Sequence, residues 1–378
     1  MTRAAVLVPG EHERPYTDSE PMRIVELELS APGPGELLVR IDAASLCHSD
    51  LSVVNGDRPR PTPMVLGHEA AGEIVGLGAD LTDVAEGDRV VLVFVPRCGS
   101  CADCSSGRPA LCERAAAANG AGELLRGGRR WSEFNGATVH HHLGVSAFSE
   151  YVVVDRSSVV VVPADVPAAT AALFGCALLT GTGAVFNSAE VRPGESVAVF
   201  GLGGVGMAAV LGASIVGADP IVAIDPIASK RDLALELGAT HAFPPAGAVE
   251  AIREVSGGGV AHALEAVGSA RVLGDAWAAT RRGGTTVAIG LPHPSQELRI
   301  PAVDLVGQAR RLVGSYLGDA VPERDLPRLI RLWRSGRLPV ERLHAASMAL
   351  DDINRALDEL SDGGTLRQVF APHGVTAS

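Results

Sequence analysis

Basic charge is scarce in this chain. Its 378 residues carry 44 acidic and 32 basic side chains, a formal net charge of −12, and its pI is about 5.4. No basic footprint is present to neutralise phosphates, which excludes a general nucleic-acid binder. Lysine is almost missing: Lys230 is the only one, and the other cations are arginines. The stretch MTRAAVLVPGEHERP has no apolar core followed by a cleavage site, so export is not expected. One stretch without a charged residue could be mistaken for a membrane span, Ala168 to Phe186. Gly175, Gly181 and Gly183 interrupt it, and Cys176, Thr180 and Thr182 lie inside it. That composition predicts a buried helix and turn and no membrane partner. Solenoid or propeller repeats and low-complexity tracts are also absent.

Cysteine is sparse too, but all six fall where a metal would want them. Cys98, Cys101, Cys104 and Cys112 follow the pattern C-x2-C-x2-C-x7-C in the Gly/Pro/Ser-rich loop PRCGSCADCSSGRPALC. This is the spacing of a closed, structural four-thiolate zinc site. A long loop without a core needs such a staple, which in small peptides is worth ~10–16 kcal/mol of apparent binding free energy. Cys47 and Cys176 lie far apart in sequence, with His68 between them. Two cysteines and one histidine are the composition of an open catalytic zinc site, with one position left for water or substrate. No cysteine is then left for a disulfide, and a reducing, cytoplasmic compartment is expected.

The length suffices for two domains. Up to about Ala168 the chain reads as short β-rich runs, such as ELLVRIDAAS, GDRVVLVFV and SEYVVVDRSSVVVVP, in an irregular, mostly antiparallel pattern. From Glu195 to Tyr316 strands alternate with helices, which predicts a parallel doubly wound sheet. The segments ERDLPRLIRLWRSG and LDDINRALDELSDGG read as helices, and TLRQVFA as a closing strand that rejoins the first domain.

Gly201, Gly203 and Gly206 form G-x-G-x-x-G directly after the apolar strand Ser196–Phe200. The first glycine permits the tight turn, the second lets backbone approach a pyrophosphate, and the third allows helix–strand packing. The following helix N-terminus presents free N–H groups to phosphates. Asp225 ends the next strand at about the expected distance. Its carboxylate suits a ribose diol and repels a 2′-phosphate, favouring NAD over NADP, while Lys230 and Arg231 nearby pull the other way.

Several stretches together carry a family resemblance. They are CHSD at 47–50, GHEAAGEIVGLG at 67–78, GDRVV at 87–91, the four-cysteine loop, HHHLGVSAFSEY at 140–151, GCALLTGTGA at 175–184 and GLGGVG at 201–206. The chain resembles the zinc-dependent medium-chain alcohol dehydrogenases nearly end to end, the family that itself exemplifies catalytic zinc held by two cysteines and a histidine. The resemblance implies an α/β protein. A GroES-like, mostly antiparallel catalytic domain is expected at 1–178, a Rossmann NAD-binding domain at 179–316, and a return to the first domain at 317–378. It implies two zinc ions per chain. Cys47, His68 and Cys176 would bind the catalytic one, with Glu69 just behind it, and Cys98, Cys101, Cys104 and Cys112 the structural one. It assigns Thr180, Gly204, Val205, Lys230, Leu291 and Arg367 to the cofactor site beside the glycines and Asp225, with Arg367 on the pyrophosphate. Ser49, Phe94 and His142 are expected at the substrate pocket.

Ser49 is expected to accept the alcohol proton. Many relatives carry a relay histidine where this chain has Ser52, so the proton's exit is open. His48 has two readings, as that exit or as a phosphate ligand. The triplet His140, His141 and His142 is not read as a metal site, because the zinc ligands are already complete. The insertion between Glu113 and Val139 has two readings: it shapes specificity through Trp131 or Phe134, or it is a surface loop.

The expected reaction is reversible hydride transfer between NAD and a primary, aromatic or medium-chain alcohol or its aldehyde, in a homodimer or a homotetramer. A thiol-dependent formaldehyde dehydrogenase, using glutathione or mycothiol, is the enzyme alternative. Arg114, Arg126, Arg129 and Arg130 are its candidate anion anchors. A zinc-free reductase of the same fold is disfavoured by the intact ligand set. A cofactor-binding structural or regulatory protein is the non-enzyme alternative.

Overall fold

A computed structural model describes residues 1–374. The chain forms two compact units. The first comprises Met1–Cys176, Val321–Arg331 and the chain from Pro339 onward; the second comprises Ala177–Ala320 and Leu332–Leu338.

The first unit is built on strands rich in β-branched residues. Its larger sheet runs in the order His344–Met348, Arg367–Phe370, Glu36–Ser45, Ala70–Leu77, Arg89–Leu92, Val159–Val161, and Tyr151–Asp155 also pairs with Glu36–Ser45. All these pairs are antiparallel except the first, His344–Met348 with Arg367–Phe370. Val152, Val153 and Val154 are buried in succession, so both faces of their strand are covered. A smaller sheet orders Met22–Leu27, Thr2–Leu7, Met64–Val65 and His140–His141.

The second unit holds six parallel strands. Their order is His241–Phe243, Ile221–Ile224, Val197–Phe200, Val260–Glu265, Thr280–Ala288, Arg311–Gly314. Numbered along the chain, this is 3-2-1-4-5-6, the doubly wound arrangement whose order reverses between Val197–Phe200 and Val260–Glu265. Each residue of Val197–Phe200 and Ile221–Ile224 is buried, as strands covered on both faces require. The strand His241–Phe243 and the helix Ala248–Val255 went unread in sequence; the strand is only three residues long.

The apolar run corrects one expectation. Ala168–Ser188 is helical throughout, with no turn, and 89% of its most apolar window is buried. Its glycines serve packing instead. A Cβ at Gly181 would stand 2.2 Å from the Val205 carbonyl oxygen, so the helix Gly204–Val216 passes too close for any side chain there. The helix adapts through two π-type stretches, Phe174–Leu178 and Ala184–Ser188. Cys176 lies in the first, and such bulges recur at functional sites.

Candidate functional site

The strand Glu36–Ser45 delivers Cys47 to the start of the helix His48–Val54. There Asp50, three residues on, closes a capping box: its Oδ2 accepts the Cys47 backbone N–H at 3.1 Å. Asp50 is fully buried, and its Oδ1 lies 2.9 Å from His68 Nδ1. It also accepts the N–H of Gly67 at 3.3 Å. One carboxylate thereby fixes the backbone of Cys47 and the ring of His68. Burial would raise the Asp50 carboxyl, but the neighbouring His68 and His142 imidazoles override it and hold it at about 2. With Nδ1–H donating to this carboxylate, Nε2 of His68 keeps its lone pair for a metal. Sequence reading missed Asp50. Its signal was the capping-box position in CHSD, which reads equally well as helix punctuation.

Cys47, His68, Glu69 and Cys176 are all buried, and their ligand atoms lie within 4.8 Å of one another. The hydrogen bond between the two thiols pulls Cys47 well below its ordinary pKa and pushes Cys176 well above it. Behind them Arg367, also buried, sets its Nη1 3.3 Å from Glu69 Oε2 and donates to the Leu46 carbonyl at 3.1 Å. Burial opposes its charge, and Glu69 and the two cysteines more than restore it, raising its pKa.

Two rings pack edge-on against His68. Phe94 lies 5.4 Å away at 88°, and His142 lies 5.6 Å away at 84°. His142 Nδ1 is 3.3 Å from Asp50 Oδ1. The three consecutive histidines diverge. His140 Nδ1 accepts from Arg129 at 3.2 Å, and His141 Nε2 accepts the Arg130 backbone N–H at 3.1 Å while its ring lies 5.7 Å from Trp131. Burial drives the His141 pKa down to about 3. Trp131 is itself buried, so this part of the insertion is core and not loop surface. Ser49 is half-buried and His48 exposed. The Ser52 hydroxyl donates to the His48 carbonyl at 2.8 Å.

The four-cysteine loop forms a second cluster, again with all ligand atoms within 4.8 Å. Cys112 is buried and the other three are half-exposed. Backbone N–H groups point at sulfur here: Cys101 N–H at Cys98 Sγ over 3.3 Å, and Cys98 N–H at Cys112 Sγ over 3.4 Å. The Ser100 backbone N–H contributes most to lowering the Cys98 thiol to about 6, whereas burial leads in pushing Cys104 up to about 12.

In the second unit the glycine turn follows Val197–Phe200. Gly201 has φ +89°, and a Cβ there would meet Val267 Cγ2 at 2.6 Å. A Cβ at Gly203 would meet nothing within 4 Å, leaving its backbone approachable, and one at Gly206 would strike the Gly201 oxygen at 1.8 Å. Gly204 and Val205 open the helix Gly204–Val216. Asp225, 6% exposed, accepts the N–H of Leu202 at 2.8 Å and that of Ile227 at 2.9 Å. Arg231 spends its guanidinium on the carbonyls of Asp225 and Pro226. Lys230 is buried, which lowers its pKa against the pull of Asp225. Thr180 is buried and Leu291 is 53% exposed.

Comparison with known proteins agrees with this geometry. Residues 33–164 match the alcohol dehydrogenase GroES-like domain family, and residues 204–335 the zinc-binding dehydrogenase family. An S-(hydroxymethyl)glutathione dehydrogenase of Synechocystis is 37% identical over 93% of this chain and 96% of its own length. A geraniol dehydrogenase of Castellaniella defragrans is 37% identical over 93% of this chain and 94% of its own. The crystal structure of a benzyl alcohol dehydrogenase from Acinetobacter calcoaceticus superposes with a TM-score of 0.91 at 32% identity, covering 98% of this chain and 99% of that one.

Proposed function

The chain belongs to the zinc-dependent medium-chain dehydrogenase/reductase family, and from its likeness to a geraniol dehydrogenase and a benzyl alcohol dehydrogenase we propose that it oxidises primary alcohols of aromatic or terpenoid size with NAD, reversibly. The observation that carries this reading is the buried set Cys47, His68 and Cys176, oriented from behind by Asp50. Their donor types fit Zn²⁺, and the four clustered thiols of Cys98, Cys101, Cys104 and Cys112 fit a second, structural ion. When bound, zinc supplies Lewis acidity that lowers the pKa of an alcohol hydroxyl, and NAD supplies the hydride acceptor.

The chain's own residues do the rest. Asp50 fixes the tautomer of His68. Arg367 offsets the charge of Glu69 behind the cluster. Phe94 and His142 wall the substrate side, and Ser49 accepts the alcohol proton. The Ser52 proton is committed to the His48 carbonyl, so the onward exit falls to His48 or to water. Asp225 receives the adenosine ribose; with Arg231 held on backbone carbonyls, NAD is preferred over NADP.

The Synechocystis relative's name favours a thiol-dependent formaldehyde dehydrogenase as a second reading. Three of the four arginines that would anchor an anionic thiol adduct are already engaged: Arg126 with Asp155 at 2.8 Å, Arg129 with Glu123 at 3.1 Å and Arg130 with Glu36 at 2.7 Å. An NAD-linked screen of graded alcohols, plus formaldehyde with and without glutathione or mycothiol, tests both. Oxidation of a benzylic or allylic alcohol without added thiol is expected; turnover of formaldehyde alone, and only with thiol, would overturn the first reading.

A homodimer suits the second unit. Among the described residues Arg311–Gly314 is an edge strand, its Leu312 is 37% exposed, and Val303 and Val306 of the preceding helix Ala302–Gly307 are 72% and 87% exposed. Light scattering on the purified chain gives its mass directly, and a monomer would contradict this assignment. A cytoplasmic, reducing compartment suits six cysteines that all fall in candidate zinc sites.

A further inference from the structure

Glu265 ends the strand Val260–Glu265 at the reversal of strand order, opposite Phe200, the last residue before the glycine turn. It is 1% exposed. A buried carboxylate beside apolar strands is costly unless its hydrogen bonds are made. Here Oε1 accepts three successive backbone N–H groups: Val267 at 2.8 Å, Gly268 at 2.7 Å and Ser269 at 3.3 Å. The Glu265 backbone carbonyl accepts from Ile289 at 2.8 Å and Gly290 at 3.0 Å. One residue therefore ties the turn after its own strand to the end of the next strand.

The same turn presses on the glycine motif. The Val267 side chain occupies the space a Cβ at Gly201 would need. Gly290 is equally crowded, since a Cβ there would stand 2.1 Å from Gly268 N. Val267 and Leu291, both apolar, are held 53% exposed at this edge. Three consecutive N–H groups converging on one point form a nest that attracts anions. The Glu265 side chain fills that nest from within.

We propose that Glu265 is a positioning residue for the dinucleotide: its carboxyl oxygen fills the 267–269 nest as an internal hydrogen-bond acceptor, fixes Val267 against Gly201, and leaves the glycine turn to receive the pyrophosphate. This rests on the cofactor reading above. The test is NADH affinity, by fluorescence titration, of the zinc-loaded wild type and of Glu265→Leu, Glu265→Gln and Glu265→Ala. Loss of the hydrogen-bond acceptor should weaken NADH about tenfold or more in Glu265→Leu. Glu265→Gln, whose amide oxygen still accepts, should stay within about threefold of wild type. The KM for NAD should rise while the KM for alcohol and the zinc content hold. Formate, a free anion of the right chemistry, should restore NADH binding to Glu265→Ala. A folded Glu265→Leu with wild-type NADH affinity overturns the proposal. If Glu265→Leu does not fold, the formate series decides: affinity rising with formate supports the proposal, and a flat response overturns it. Wild-type protein that binds neither NADH nor NADPH would sink the cofactor reading itself, a separate outcome.

Discussion

The two cysteine clusters place the same sulfur chemistry in opposite settings. Cys98, Cys101, Cys104 and Cys112 lie in one short loop, three of them half-exposed, and are supported by backbone N–H groups of that loop. Cys47, His68 and Cys176 come from three distant segments, all buried, and are supported by carboxylates and an arginine. The first cluster is local and draws its hydrogen bonds from its own loop. The second exists only once the fold has formed, and its side-chain support tunes donors instead of shaping a loop. A closed four-thiolate set leaves no position for a substrate, whereas two thiols and an imidazole leave one.

Substitutions should separate the two. Cys176→Ser is expected to abolish NADH-linked turnover while circular dichroism and NADH binding stay near wild type. Cys104→Ser should instead lower Tm and solubility first, and activity only through loss of folded protein. Equal effects from the two changes would erase the contrast. Ser49→Ala should cost about 10²–10⁴-fold in alcohol oxidation, the usual range for a general acid–base group, with zinc retained. A loss under threefold would reduce Ser49 to a turn hydroxyl. Asp50→Asn should weaken zinc in the buried cluster about 10–100-fold, as removal of a ligand's hydrogen-bond partner does, and leave the four-cysteine ion in place. Chelator competition read on each ion would show it; simultaneous loss of both would contradict the separation. The smallest effect concerns the other unit: Asp225→Ser should raise NADP use relative to NAD. A wild type that already prefers NADP would hand the pocket to Lys230.

The same contrast explains what could be read beforehand. The four-cysteine loop and G-x-G-x-x-G are local, so spacing alone exposes them. The distant residues Cys47, His68 and Cys176, which the fold brings together, stand out in the sequence only in combination and through family resemblance. Asp50 and Glu265 were missed for one reason: each is a carboxylate at an element's end, where a helix cap or a polar strand terminus is the ordinary explanation. Only burial and distances show that one aims at His68 and the other at a backbone nest. The glycines of Ala168–Ser188 misled in the opposite sense. Glycine signals both turns and close packing, and here Gly181 serves packing against the Val205 carbonyl.

The most direct test is a zinc count on two proteins, native and Cys176→Ser, each purified without chelator and checked for folding. Two ions per native chain, and one per Cys176→Ser chain with Tm unchanged and turnover gone, are what two separable centres predict. A folded native chain holding a single zinc, or a Cys176→Ser protein that still oxidises alcohol, would contradict the account.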